Sequence, residues 1–277
     1  MNSDELPVVA RMPAGSCDTH LHFYDETYPS DPRAVLHPPD ATPDDYRSFR
    51  SELGLDRLVI LQPTTYGLDN RCQLHGAAGF ADDARLVVVV NTDVTDDELR
   101  TLTKAGACGA RFHMLPGGAV PWDQLEKVAD KIAPFGWHIQ LQLNGRELEE
   151  RFTQLADLPV EVVIDHVGRF MPPVEPDHPT FAALLALVEL GKGWVKLSAP
   201  YESSTSGPPT YDDLRPTIET LVNRVPDRLL WASNWPHPGQ ADPPSAANLV
   251  RLLDQWIPDP DIRHRVLVDN PARLYEF

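Results

Sequence analysis

Cysteine is scarce in this chain of 277 residues: Cys17, Cys72 and Cys108 are the only three. They are odd in number, widely spaced and form no Cys-x-x-Cys pair, which argues against a disulfide framework and against a thiolate zinc site. A reducing cytoplasm is the expected compartment. Positive charge is also short, with 24 Lys and Arg against 41 Asp and Glu and a formal net charge of -17. Such a surface repels nucleic acid and anionic membranes, so neither is expected as a partner. No apolar run approaches the roughly 18 residues that span a bilayer. Met1 to Met12 carry Asp4 and Glu5 and lack the apolar centre of a secretory leader, so secretion and insertion are not expected. Fixed-period repeats, low-complexity tracts and a compositional break that would mark a linker are absent, and one domain over 1-277 is the expectation.

What the chain does have is rhythm. Short apolar runs, many rich in β-branched residues, recur at Cys17–His22, Arg57–Gln62, Leu86–Val90, Gly109–Phe112, His138–Leu143, Val160–Ile164, Trp194–Leu197 and Leu229–Trp231. Helix-like stretches lie between them: Pro43–Leu53 behind Thr42, Asp96–Ala105 behind Thr95, Trp122–Ile132 behind Pro121, and Thr210–Arg224 before Pro226. Eight strands alternating with helices predict an α/β fold, a (β/α)8 TIM barrel. The proline-rich stretches Tyr28–Thr42, Met171–Pro179 and Ser203–Pro209 then read as long loops over its mouth.

In such a barrel the chemistry gathers at the C-terminal strand ends. His20 and His22 end strand 1, Gln62, Thr64 and Thr65 strand 2, Arg111 and His113 strand 4, and Gln140, Gln142 and Asn144 strand 5. Asp165, His166 and Arg169 end strand 6, Lys196, Ser198 and Tyr201 strand 7, and Asn234 and His237 strand 8. Any one of these residues reads equally well as ordinary loop polarity; seven strands doing so together point to a site. His20 and His22, two apart on a strand, project to one face, where imidazoles grip a metal or a substrate oxygen.

Three segments carry a resemblance: Asp18-Thr19-His20-Leu21-His22, Ile164-Asp165-His166-Val167-Gly168-Arg169, and Trp231-Ala232-Ser233-Asn234-Trp235-Pro236-His237-Pro238. Together with the closing Asn270-Pro271-Ala272-Arg273-Leu274, they resemble the amidohydrolase superfamily, in its branch of 2-pyrone-4,6-dicarboxylate lactonases, sulfomuconolactone hydrolases and sugar lactonases. The resemblance runs from Cys17 nearly to the last residue. It implies a distorted (β/α)8 barrel that hydrolyses a small lactone or related ester.

Lactone hydrolysis needs a polarised carbonyl, an activated water and a seat for the substrate carboxylate. His20, His22 and His166 are the candidates on the carbonyl side, His166 by its match to the branch's strand-6 histidine. Arg111 and Arg169 present planar forks suited to a carboxylate, as the matching arginines of the branch do. Either arginine also reads as one half of a loop salt bridge, but Arg111 sits inside an apolar strand, where an unpaired charge is costly. Gln142, Thr64 and Tyr201 are candidates for hydrogen bonds to a ring substituent, or plain lining polarity. Met114, Trp122 and Trp235 are candidates for an apolar wall, or plain core.

By the resemblance, zinc-dependent members usually add a strand-5 histidine, or a bridging lysine or glutamate, and an aspartate on strand 8. Here strand 5 offers Gln140 and Gln142, with His138 too early to face the mouth. No cofactor and metal-independent action are therefore expected, with a three-nitrogen zinc site of His20, His22 and His166 as the alternative. Asn234 departs from the branch, which carries an aspartate there as base; an amide only orients by hydrogen bonds. Three readings stay open: an exchange made to trap substrate, a natural amide with His237 or His22 as base, or a scaffold with altered or lost activity. The loop Met114-Leu115-Pro116-Gly117-Gly118-Ala119 lacks the second arginine of the dicarboxylate lactonases, and the tyrosine expected after strand 1 gives way near Leu36-His37. One anionic group on the substrate, or a more apolar lactone, is the expectation. The competing classes are a metal-independent lactonase, a zinc-dependent hydrolase or decarboxylase, and a small-molecule binder.

Overall fold

The computed structural model describes residues 12–277, so Asp4 and Glu5 lie outside the described residues. Eight parallel strands follow one another in order around a sheet: β1 Cys17–Leu21, β2 Arg57–Leu61, β3 Ala84–Val88, β4 Ala107–His113, β5 His138–Gln142, β6 Val162–Ile164, β7 Gly193–Leu197 and β8 Leu229–Trp231. Beyond the ends of β1 and β8 the chain returns on itself: Leu21 bridges Trp235, His22 N donates to Trp235 O at 2.9 Å, and Asn234 N donates to His20 O at 2.9 Å. The result is a (β/α)8 barrel, all eight strands falling within about two residues of their predicted runs.

The helices on the outside are α1 Pro43–Leu53, α2 Arg71–Ala77, α3 Asp96–Lys104, α4 Leu125–Ile132, α5 Leu148–Ala156, α6 Pro179–Glu189, α7 Arg215–Arg224 and α8 Ala246–Trp256. Thr42 and Thr95 cap α1 and α3 through full capping boxes with Asp45 and Glu98, which satisfies donors the first turn would otherwise waste. The predicted Trp122–Ile132 and Thr210–Arg224 each prove to be a short 3₁₀ turn followed by a helix, α4 and α7. Four further outer helices, α2, α5, α6 and α8, complete the ring. In α6 the helical period is blurred, since Phe181, Leu184, Leu185, Leu187 and Val188 are all buried. The chain closes with α9 Pro260–His264, a π-helical turn Arg265–Asp269 and α10 Asn270–Tyr275. The Asn270 amide donates to Pro226 O and Leu229 O at 2.8 and 2.7 Å, which explains the closing motif.

Strand alternation splits the hydrophobic residues into two sets. Leu58, Ile60, Leu86, Val88, Ile139, Leu141, Val162 and Ile164 face the helices, while Cys17, Val59, Leu61, Val87, Val163, Trp194 and Leu230 fill the barrel and meet Tyr275. In β1 the pairing with β2 slips between Asp18 and Leu21, so three steps along β1 match two along β2. This bulge reverses the phase of the strand. Asp18, ahead of it, faces outward and accepts from Tyr46 OH at 3.1 Å, whereas His20 and His22, beyond it, face inward.

Candidate active site

At the C-terminal ends of the strands lies a cavity of about 310 Å³. His22, His166, Asn234, Arg111, Gln142 and Thr64 form its floor and one wall; Arg169 and Glu202 complete the polar side. The loop after β1 adds Val35 and Leu36. A larger surface cleft of about 570 Å³ against α2 and α3 gathers Asp93, Asp97, Glu98 and Arg71 without a histidine, so the chemistry belongs to the barrel mouth.

Three imidazoles are brought together. The His20 ring centroid stands 4.9 Å from that of His22 and 4.9 Å from that of His166. Each Nδ1 has its own partner: Leu61 O at 2.8 Å for His22, Ser198 Oγ at 2.9 Å for His166, and Asp165 Oδ1 at 3.2 Å for His20. A carbonyl only accepts, so His22 Nδ1 carries the hydrogen and its Nε2 is a lone pair. That lone pair faces His20 Nε2 at 3.2 Å. Two arrangements satisfy the geometry. In one, His20 Nε2–H donates to His22 and Nδ1 accepts from Gln140 Nε2 at 3.3 Å. In the other, His20 Nδ1–H donates to Asp165, and both lone pairs point at a shared proton or cation.

Burial holds these rings neutral. His20 and His166 are pushed well below the ordinary histidine range by desolvation, and His22 down to about 3 by desolvation and the nearby Arg111 cation. Behind His20 runs a polar chain inside the barrel. Lys196 Nζ donates to Thr19 O at 2.5 Å and to Gln140 Oε1 at 2.9 Å, and Gln140 Nε2 donates to Asp165 Oδ1 at 2.6 Å. Burial lowers the Lys196 ammonium to about 8.

Arg111 is buried and has no carboxylate within ion-pair reach among the described residues. Its Nη1 donates to Gln62 O and its Nη2 to Gln142 Oε1, both at 2.7 Å, while Nε lacks a partner. Desolvation lowers its pKa, so a substrate anion would relieve an unfavourable burial. Arg169 differs: its Nε donates to Glu202 Oε2 at 3.0 Å, the salt bridge that was its competing reading. Asn234 Nδ2 donates to Tyr201 OH at 2.8 Å, and the Tyr201 hydroxyl also hydrogen-bonds His237 Nδ1 at 3.0 Å. His237 Nδ1 is therefore engaged in either tautomer.

Of the residues singled out from sequence, His22, His166, Asn234, Arg111, Arg169, Thr64 and Gln142 line the cavity, whereas His20, Tyr201 and His237 stand behind that lining. The apolar wall is corrected. Trp235 packs on Phe23, Tyr46 and Phe49, Trp122 lies under the Arg151 guanidinium, and Met114 packs against the core. Leu115, Pro116, Pro63, Val35, Leu36 and Pro238 take their place. His138 lies low in the barrel beside Tyr275, ring centroids 5.5 Å apart. Asp165, Gln140, Lys196, Ser198 and His113 had been seen as strand-end residues but given no role. Alternation held the signal for two of them, since His113 shares the inward face of Arg111 and Gln140 that of Gln142.

The donor set fits a metal ion. His20 Nε2 and His22 Nε2, 3.2 Å apart, suit two nitrogens on one small cation. His20, Asp165 and His166 also place one donor atom each within 4.8 Å of one another.

Comparison with known proteins completes the picture. The family profile described as Amidohydrolase matches residues 17–277. D-galactarolactone isomerase of Agrobacterium fabrum is 35% identical over 270 residues, covering 96% of this chain and 92% of that protein. The 4-sulfomuconolactone hydrolase of Hydrogenophaga intermedia is 33% identical over 272 residues, covering 95% and 89%. A ligand-free crystal structure from Agrobacterium tumefaciens superposes with a TM-score of 0.91 at 34% identity, over 97% of this chain and 98% of the other.

Proposed function

The chain belongs to the amidohydrolase family, and from that premise we propose that it opens a small carboxylate-bearing lactone by hydrolysis without a metal ion. One observation carries the reading: Arg111, a buried cation without an acidic partner, lies on the same cavity as the neutral rings of His22 and His166. Arg111 holds the substrate carboxylate through the donors that its two protein acceptors leave free. With Ser198 donating to His166 Nδ1, Nε2–H of His166 points its hydrogen at the lactone carbonyl and stabilises the developing oxyanion. The attacking water passes its proton to His22 Nε2, which shares it with His20 Nε2 at 3.2 Å with Asp165 behind; as the tetrahedral intermediate collapses and the ring C–O bond breaks, the proton passes to the leaving alkoxide. Asn234, tied to Tyr201, orients by hydrogen bonds and takes no proton.

Charge supports action without metal. Arg111 and Lys196 are buried cations near Asp165, so a divalent ion would add to the positive charge already there. If one is bound, His20, His22 and His166 hold it and it acts as a Lewis acid on the carbonyl. Elemental analysis of the purified protein and turnover after chelation test this: full activity in metal-free protein is expected, and loss restored by zinc would reverse it. The three free thiols support a reducing compartment such as the cytoplasm.

Asn234 favours a second reading, in which a hydroxyl of the substrate itself attacks the polarised carbonyl and the lactone changes ring size. Such transfer makes smaller demands on a base than activation of water does, and one relative is named an isomerase. Turnover of a hydroxylated lactone in ¹⁸O-water separates the two, since hydrolysis places label in the product carboxylate and internal transfer does not. Asn234→Asp is expected to raise label incorporation. Equal incorporation by both forms removes any role for a carboxylate at this position.

A further inference from the structure

Two neighbouring apolar side chains at the cavity rim are open to solvent: Val35 is 58% exposed and Leu36 39%. Loose chain is not the reason. Asp31 N donates to Thr65 O at 2.7 Å, Arg33 Nη1 to Ala119 O at 3.1 Å, and Thr65 Oγ1 to Leu36 O at 3.0 Å, so the segment is pinned on both sides of the pair. A Cβ on Gly117 would stand 3.2 Å from Val35 Cγ2 and one on Gly239 would stand 3.6 Å from Leu36 Cδ2. The pair therefore spans the mouth from the loop after β4 to the loop after β8. Leu115, Pro116 and Pro238 continue the same surface. Hydrocarbon held open to water at the lip of a polar cavity gains free energy only when something apolar covers it.

The charges below the rim set the other half of the recognition. Arg111, Arg169 and Glu202 are the charged lining residues, and the last two neutralise each other at 3.0 Å with side chains only 16% and 22% exposed. One uncompensated cation remains. A substrate with two anionic groups would set the second against the hydrocarbon of Val35 and Leu36, partly desolvated and without a cation.

We propose that the site selects a monoanionic lactone, its carboxylate on Arg111 and its hydrocarbon substituent under Val35 and Leu36, the rim excluding a second charge. This deepens the lactone reading above and rests on it for the ring chemistry. The test uses lactams, which bind without being opened: pyroglutamate, its butyl-substituted form, and its form with a second carboxylate in place of the butyl group, each titrated by calorimetry. The butyl form is expected to bind roughly tenfold more tightly than pyroglutamate, and the dicarboxylate roughly tenfold more weakly. Leu36→Arg is expected to bring the dicarboxylate ahead of the butyl form, and Leu36→Ala to shrink the butyl advantage. A wild-type protein that binds the dicarboxylate as tightly as the butyl form, an order unmoved by Leu36→Arg, or no binding of any of the three would each overturn the proposal. Failure of the lactone reading looks different: the lactams bind in the expected order, while the matching lactones open no faster than in buffer.

Discussion

The lower and upper halves of the barrel interior are built from opposite materials. Below, Cys17, Val59, Val87, Val163, Trp194 and Leu230 close on Tyr275, as a sheet wrapped on itself requires. Above, β1, β5, β7 and the end of β6 place His20, Gln140, Lys196 and Asp165, all at or below 1% exposure, in a hydrogen-bonded chain that leads to the mouth. Positive φ at non-glycine residues is concentrated at the mouth, with Ala81 and Glu276 lying outside it. His166, Val167, Arg169, Ala199, Asn234 and His237 have φ between 42° and 63°, and all follow β6, β7 or β8 at the mouth. For Val167 this is a costly conformation, sustained only because its surroundings enforce it. Stability is thus supplied from one end and used at the other, and this separation is open to attack by substitution.

The largest effect is expected from Asp18→Ala, which straddles the division. The Asp18 carboxylate accepts from Ser233 N at 2.9 Å, Ser233 Oγ at 2.5 Å, His20 N at 3.3 Å and Tyr46 OH at 3.1 Å. Its removal strands buried donors and is expected to cost roughly 4 kcal/mol in urea unfolding, with turnover lost as His20 and Asn234 shift. A loss below about 1 kcal/mol would show that β1 and β8 are held by something else. Tyr275→Ala empties the bottom plug, and about 3 kcal/mol is expected. At a temperature where the variant is folded, kcat/KM should stay within about twofold, about 0.4 kcal/mol of transition-state stabilisation; a larger fall would mean that the two ends are not separable.

Acid sharpens the comparison, because the histidines that burial holds far below their ordinary value stand at the mouth, with His138 beside Tyr275 as the one exception among the described residues. Burial lowers His22 and His113 from 6.5 to about 3 and His237 to about 4. Between those values and 6.5 the unfolded chain binds protons that the folded chain refuses. Their contribution is complete above about pH 6.5 and fades as pH falls toward 3. Thermal melts are expected to be level near neutrality and to drop through this window, with a shallower slope in His113→Gln; an unchanged slope would assign the loss to other groups. The smallest effect belongs to the outer ring: Thr42→Ala removes the α1 cap and is expected to cost about 1 kcal/mol, with activity untouched in the same assay.

The lower half was largely legible in the sequence, since runs such as Arg57–Leu61 and Val162–Ile164 are apolar enough to demand burial on both faces. At the mouth, His20-x-His22 and Arg111 were legible through spacing and through the cost of a charge in an apolar strand. Two kinds of information were not. The partner that occupies Arg169, Glu202, lies 33 residues away and meets it only because β6 and β7 are adjacent. The inward chain from Lys196 through Gln140 to Asp165 joins three strands, so no local pattern announces it. The hydrogen bond between His237 and Tyr201 is likewise set by tertiary structure alone.

The slip in β1 amounts to a parity switch. With one residue more than its neighbour uses, the strand turns both imidazoles into the barrel; with the count made even, Leu21 would occupy that place and the rings would turn toward the helices. What this strand contributes is therefore written in how many residues precede the motif as much as in which ones compose it. Anyone grafting His20-x-His22 onto another barrel must carry the irregularity across with it.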